Sequence, residues 1–355
     1  MPKIVPKESP RFSLQLYPWQ QADWQQLLQY SNTEKLPHAL LITGNKGLAK
    51  FEFAMLWAGT LLCETAAKTQ WLSTTIPCGH CAACELFAAN THPDFMLIQP
   101  EEEGKAIKVA QIRELVAFVS LTQSRSNRRV IVISPAESMN MNAANSLLKT
   151  LEEPPVNTVV ILVSSKPHSL PATIRSRCQL FPVSTADSAT LQSWLTQMGQ
   201  YSQDEVDLAI SVTENSPLNA QFYLDSSILS LSEALLNDWL LLASGKAKPT
   251  TIAEKWLKQP ENVPIRLVYT WLVDMIRYHS LNCSSEWRLD DNASRLFYYS
   301  GNTALQKLAI SIPVKRLFVI YDKVIEILRL GHTSLNKQLQ LESLLIQWSL
   351  IAQRK

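Results

Sequence analysis

In the first half of the chain, short runs of β-branched and aliphatic residues alternate with stretches whose apolar positions recur every three or four residues. This alternation is the signature of a parallel α/β sheet. Five strands are predicted, over residues 39–43, 95–99, 130–134, 159–164 and 179–183. Helices are predicted over 50–62, 109–121 and 142–152. The last ends at Pro154-Pro155, because proline offers no N–H to carry the helical ladder onward. Beyond Ser184 helical periodicity takes over, as in Ile265, Val268, Tyr269, Leu272, Met275 and Ile276, which share one helix face. Segments 187–199 and 202–213 read as two helices of a small second domain, and 222–355 as a larger helical one. The α/β domain accordingly occupies 1–183 and the small helical domain 184–221.

Composition narrows the partners. The chain has 355 residues, 46% of them hydrophobic, enough to bury substantial cores in two or three domains. Its net charge of +2 describes a nearly balanced surface, which disfavours tight DNA binding by the chain alone. The longest apolar runs, such as Val159-Val160-Ile161-Leu162-Val163, fall far short of the roughly 20 residues of a spanning helix. Met1 to Pro10 mixes Lys, Pro and Glu and lacks the apolar core of an export signal, so a cytoplasmic location with no membrane is expected.

The first predicted strand leads into Gly44-Asn45-Lys46-Gly47-Leu48-Ala49-Lys50-Phe51, where a phosphate-binding loop would join strand to helix. The working pattern, G-x-x-x-x-G-K-S/T, uses glycines to wrap backbone amides around phosphates, a lysine to reach them and a hydroxyl to hold Mg²⁺. Gly44 and Lys50 match the pattern and Gly47 lies within the loop, but Ala49 replaces the second pattern glycine and Phe51 the hydroxyl. The third strand is followed by Ser134-Pro135 where a hydrolytic enzyme carries an acidic pair. Two readings follow: an ordinary strand-to-helix turn with Lys50 solvated, or weak nucleotide binding without turnover.

Cys78, Cys81 and Cys84 stand at two-residue gaps, and Cys63 lies fifteen positions before the first. In a reducing compartment such a cluster favours metal over disulfides, and four thiolates suit a closed, tetrahedral, structural Zn²⁺. Cys63 is the preferred fourth ligand and His92 the competitor. Arg177, in Ser176-Arg177-Cys178, reads by itself as a solvated charge or a carboxylate's partner. Glu152 and Glu153 close a helix where the macrodipole disfavours negative charge, which suggests pairing with Arg175 or Arg177. Arg125, Arg128 and Arg129 form a small basic cluster that reads either as a surface for DNA phosphates or, preferably, as a solvated loop.

Taken together, Tyr17-Pro18-Trp19, Pro37-His38-Ala39-Leu40-Leu41-Ile42, the cysteine cluster, His92-Pro93-Asp94, Asn145 through Pro155 and Leu170 through Cys178 resemble the delta-prime family of bacterial DNA polymerase III clamp-loader subunits, within the AAA+ class. The resemblance implies a P-loop NTPase-like AAA+ α/β domain with a zinc module inserted at about 63–84, a helical lid and an all-α collar. It implies that Arg177 is an arginine finger acting in trans on ATP held by a neighbouring gamma or tau subunit, and that Cys63, Cys78, Cys81 and Cys84 hold zinc. The implied partners are gamma or tau and delta subunits in a hetero-pentamer, with the sliding clamp and primed DNA reached through that complex. Leu218, in Asn215-Ser216-Pro217-Leu218, stands where active members carry a nucleotide-sensing arginine, a third loss that argues against an active gamma-type ATPase. A zinc-dependent nucleic-acid-binding module would explain the cysteines but not the α/β region. The segment from Leu335 to Trp348 resembles the final collar helix and reads equally as a core helix or a subunit contact.

Overall fold

A strand buried on both faces sends alternate side chains into two separate cores, and the three central strands of this chain do so. The computed structural model describes residues 15–32, 36–66, 76–102, 104–120, 126–226, 228–259, 263–283, 303–330 and 336–353. Met1 to Pro10, Leu121, Arg125 and Leu335 lie outside the described residues. The strands are β1 (Ala39–Thr43), β2 (Phe95–Ile98), β3 (Arg129–Ile133), β4 (Thr158–Ser164) and β5 (Gln179–Pro182), all parallel, in the order β2-β3-β4-β1-β5.

Leu40, Ile42, Val130, Val132, Val159, Ile161 and Val163 enter one core with α1 (Gln21–Asn32) and α2 (Lys50–Leu62). Leu41, Ile131, Ile133, Val160 and Leu162 enter the other with α4 (Val109–Ser120), α5 (Met141–Glu152) and α6 (Ala172–Arg175); α3 (Ala82–Ala88) lies between α2 and β2 in the chain. Asn140 caps α5 by accepting from the Ala143 N–H at 2.8 Å, and the chain leaves the helix just before Pro154.

The chain forms two compact units, Met1–Leu191 with Ser216–Leu218, and Gln192–Asn215 with Asn219–Lys355. The α/β sheet belongs to the first. Helices α7 (Ser188–Met198), α8 (Gln203–Thr213), α9 (Pro217–Asp225), α10 (Ile228–Ala243), α11 (Pro249–Leu257), α12 (Val263–Cys283), α13 (Thr303–Ser311), α14 (Val314–Leu330) and α15 (Lys337–Gln353) complete the described chain. A capping box of Ser202 and Glu205 starts α8.

In the second unit the Trp239 ring stacks on Trp348 with centroids 4.1 Å apart, and the Trp348 indole N–H donates to the Trp239 carbonyl at 3.0 Å. Buried Asp238 accepts from Lys255 and from the Trp256 indole. The final helix α15 is therefore a core helix through Leu341, Leu344, Leu345 and Trp348, while Leu339, Ile346 and Leu350 are exposed at seven- and four-residue spacing along another stripe.

One reading of the sequence is corrected. Arg129 is no solvated loop residue: it begins β3, is 2% exposed, donates to the Val119 carbonyl at 3.0 Å and lies over the Phe118 ring. Buried Asp94 faces its guanidinium at 3.9 Å. A guanidinium enclosed by the fold is tolerated because it is both paired and hydrogen-bonded.

Candidate functional site

The thiol group is assembled by helix ends. Cys63 is the residue at which α2 stops, and Cys81 is the N-cap of α3, so both are held by the capping geometry of neighbouring helices. Gly79 has φ of +77°, a left-handed conformation that lets the chain double back between Cys78 and Cys81. The four sulfurs of Cys63, Cys78, Cys81 and Cys84 lie within 4.8 Å of one another, with Cys63–Cys81 at 4.0 Å and Cys78–Cys84 at 3.9 Å. A tetrahedral ion with Zn–S bonds of about 2.3 Å requires sulfurs about 3.8 Å apart, whereas a disulfide requires about 2 Å.

Backbone N–H groups of Ala66 and Cys78 donate to the Cys63 sulfur, Cys81 to Cys78 and Cys84 to Cys81, each at 3.4 Å. Such donors suit thiolates rather than thiols. Desolvation raises the Cys78 thiol, but hydrogen bonds led by the Thr65 side chain outweigh it and bring it down to about 6. Burial, with the neighbouring thiols, pushes Cys84 up. Four sulfurs this close cannot all ionise unless a cation offsets their repulsion, so the donor set fits a resident metal ion.

His92 lies outside the thiol group. It is 3% exposed; its Nδ1 accepts from the Asp94 N–H at 3.1 Å, and its Nε2 lies 3.3 Å from the Ser126 hydroxyl. His80 is exposed and bonds the Cys78 carbonyl at 2.8 Å.

The loop between β1 and α2 keeps the phosphate-loop turn, with Gly47 at φ +88° and Ala49 at φ +56°. Alanine thus occupies a left-handed position that the working pattern reserves for glycine. The Cβ in that conformation costs about 1–2 kcal/mol. Ala49→Gly is expected to raise stability by about 0.5–1 kcal/mol, seen as a higher urea midpoint at unchanged slope; a lower midpoint would mean that the buried methyl matters more than the strain.

Five successive loop carbonyls are taken by donors from this same chain. Lys50 Nζ donates to Asn45 at 2.6 Å, the Ser216 hydroxyl to Lys46 at 2.7 Å and the Leu218 N–H to Gly47 at 3.0 Å. Trp19 and Gln20 donate to Leu48, and Gln20 also to Ala49. Lys50 is buried, not solvated, and desolvation lowers its ammonium to about 8 against the opposing pull of Glu137 and Glu52. Phe51, in the hydroxyl position on the first turn of α2, packs against the first core. Glu137, on the turn Ala136–Ser138 after β3, was missed by sequence reading because it lies beyond Ser134-Pro135; it accepts from the Ser165 N–H at 3.0 Å.

Arg177 follows α6, where Ile174 is buried and the partly buried Cys178 packs on the second core. Burial lifts the Cys178 thiol to about 12, which keeps it neutral and inert. The Arg177 guanidinium binds Glu152 Oε1 through Nε at 2.9 Å and Nη2 at 2.5 Å, and its Nη1 donates to the Thr173 carbonyl at 3.0 Å. The pairing expected of Glu152 is therefore present, with Arg177 as the partner.

A parallel sheet ordered β2-β3-β4-β1-β5, a phosphate-type loop after β1, a four-cysteine group after α2 and a helical remainder define the class as an AAA+-like α/β protein. Family models described as "DNA polymerase III, delta subunit" and "DNA polymerase III, delta subunit, C terminal" match residues 19–187 and 228–349. The chain is 33% identical to DNA polymerase III subunit delta-prime of Pseudomonas aeruginosa, over 94% of this chain and 97% of that protein. It is 28% identical to the delta-prime subunit of Haemophilus influenzae over 84% and 89% of the two chains. A more distant likeness, 28% over 60% of this chain and 37% of the other, is to the tau subunit of Bacillus subtilis. The chain belongs to the DNA polymerase III delta-prime family.

Proposed function

We propose that this chain is a non-hydrolysing clamp-loader subunit of a DNA polymerase III holoenzyme. It joins gamma or tau and delta subunits in a hetero-pentameric ring in the cytoplasm and carries one structural zinc on Cys63, Cys78, Cys81 and Cys84. It presents Arg177 in trans to ATP on a neighbouring gamma or tau subunit, so that the sliding clamp is loaded onto primed DNA. The exposed stripe of Leu339, Ile346 and Leu350 supports a role for α15 in subunit contact.

The observation that carries the non-hydrolysing reading is the commitment of Lys50 within its own loop together with Phe51 in the place of the Mg²⁺-binding hydroxyl. Phosphates are held by N–H and ammonium donors; here the buried Lys50 ammonium donates to the Asn45 carbonyl of its own loop, and Phe51 cannot ligate Mg²⁺. An active gamma-type subunit would need that hydroxyl and an acid poised to polarise water. The purified chain is expected to show no ATP turnover and no saturable ATP binding at millimolar nucleotide, as measured by phosphate release and calorimetry. Turnover that co-purifies with the chain and vanishes in Lys50→Ala would overturn this reading in favour of the gamma type.

A further inference from the structure

We propose that Glu152 is a positioning residue for the transferred-phosphate chemistry, holding the Arg177 guanidinium by its side edge so that its outer hydrogens meet a neighbour's γ-phosphate. This rests on the reading of Arg177 as a finger in trans. Two elements far apart in the chain create the contact: Glu152 ends α5, and Arg177 stands 25 residues later, after α6. Both side chains are partly exposed, at 34% for Arg177 and 47% for Glu152, so the pair lies at a surface that another subunit can reach.

The donor count supports a holding role. A guanidinium has five N–H hydrogens in one plane. Glu152 Oε1 takes the Nε hydrogen and one from Nη2, and the Thr173 carbonyl takes one from Nη1. One hydrogen remains on each terminal nitrogen, with only the Ser176 hydroxyl, among the described residues, bonded near Nη1, at 3.4 Å. Two hydrogens on adjacent nitrogens are what a phosphate accepts in bidentate fashion. The finger can therefore engage phosphate without leaving Glu152, and the rotamer it needs is already fixed by three bonds. Preordering of this kind lowers the cost of reaching the transition state more than it changes ATP binding.

The test uses the reconstituted complex with clamp and primed DNA, with the ATP site facing this chain the sole intact one. Glu152→Ala is expected to lower kcat about tenfold with the KM for ATP unchanged, since orientation is lost while the charge remains. Glu152→Gln, which keeps an acceptor oxygen, is expected to recover part of the rate, and it serves as the reading if Glu152→Ala does not assemble. Glu152→Ala with Arg177→Ala should be no slower than Arg177→Ala alone, a non-additivity that a purely structural defect would not produce. If Arg177→Ala is slow but both Glu152 variants match wild type, the finger stands and the positioning role is lost. Glu152 variants faster than wild type would make it a restraint and overturn the proposal, and an Arg177→Ala complex of unchanged rate would remove the finger itself and this proposal with it.

Discussion

Arg177→Ala is expected to slow ATP hydrolysis at the site facing this subunit by about 10³-fold, the lower range for an arginine finger supplied in trans. Assembly should be unaffected. The guanidinium is one-third exposed, and its surface ion pair with Glu152 adds at most about 1 kcal/mol to the fold. The position of the backbone is instead set by buried Ile174, by the packing of Cys178 and by β5, none of which the substitution touches. Arg177→Lys should not rescue the rate, because an ammonium offers no planar fork that can bind Glu152 and phosphate together. Exposed Arg175, two residues earlier, is the control: Arg175→Ala should leave hydrolysis unchanged. Single-turnover hydrolysis in the assembled complex, compared with the bulk rate, isolates the effect on the one site, and an Arg177→Ala rate equal to wild type there would leave the chain a scaffold only.

The second large effect is expected at the thiol group. The native chain should carry one zinc per molecule, and Cys84→Ser or strong chelation should remove it. Structural zinc contributes about 10–16 kcal/mol of apparent binding energy in small metal-folded peptides at neutral pH. In this chain, aromatic packing shares the task of holding the module, since Phe87 of α3 contacts Phe95 of β2 with ring centroids 4.6 Å apart. Loss of metal is therefore expected to cost about 3 kcal/mol or more and to lower the unfolding midpoint by about 6–12 °C. Limited proteolysis should then cut between Cys63 and His92 before the sheet is attacked. Zinc content by atomic emission gives the direct readout, and His92→Ala should retain one equivalent, because its ring bonds Asp94 and Ser126 away from the sulfurs. A His92 variant without zinc, alongside a Cys63 variant that keeps it, would reverse the ligand assignment.

The pattern of the chain made the sheet legible. The predicted strand segments match β1 to β5 to within one residue at either end; the central strands β1, β3 and β4 were plainest, because a strand covered on both faces is written as a nearly uninterrupted apolar run. The Cys78, Cys81 and Cys84 spacing was equally plain, since one turn of chain presents all three thiols. Glycine and helix-stop signals likewise act over a few residues, and they placed α2 and the end of α5.

What the sequence alone could not decide were contacts between residues distant along it. Whether Cys63 or His92 completes the thiol group depends on where α2 ends in space, and buried Arg129 looked like its basic neighbours until Asp94 and Val119 closed around it. That Glu152 takes Arg177 rather than Arg175, and that Ser216 and Leu218 close a loop 170 residues earlier, are likewise products of folding. The physical reason is range: burial and backbone propensity are set within a turn or two of chain, so composition and spacing reveal them. Hydrogen bonds and ion pairs require atoms to meet within about 3–4 Å, and for residues far apart in the chain only the tertiary structure determines which ones do.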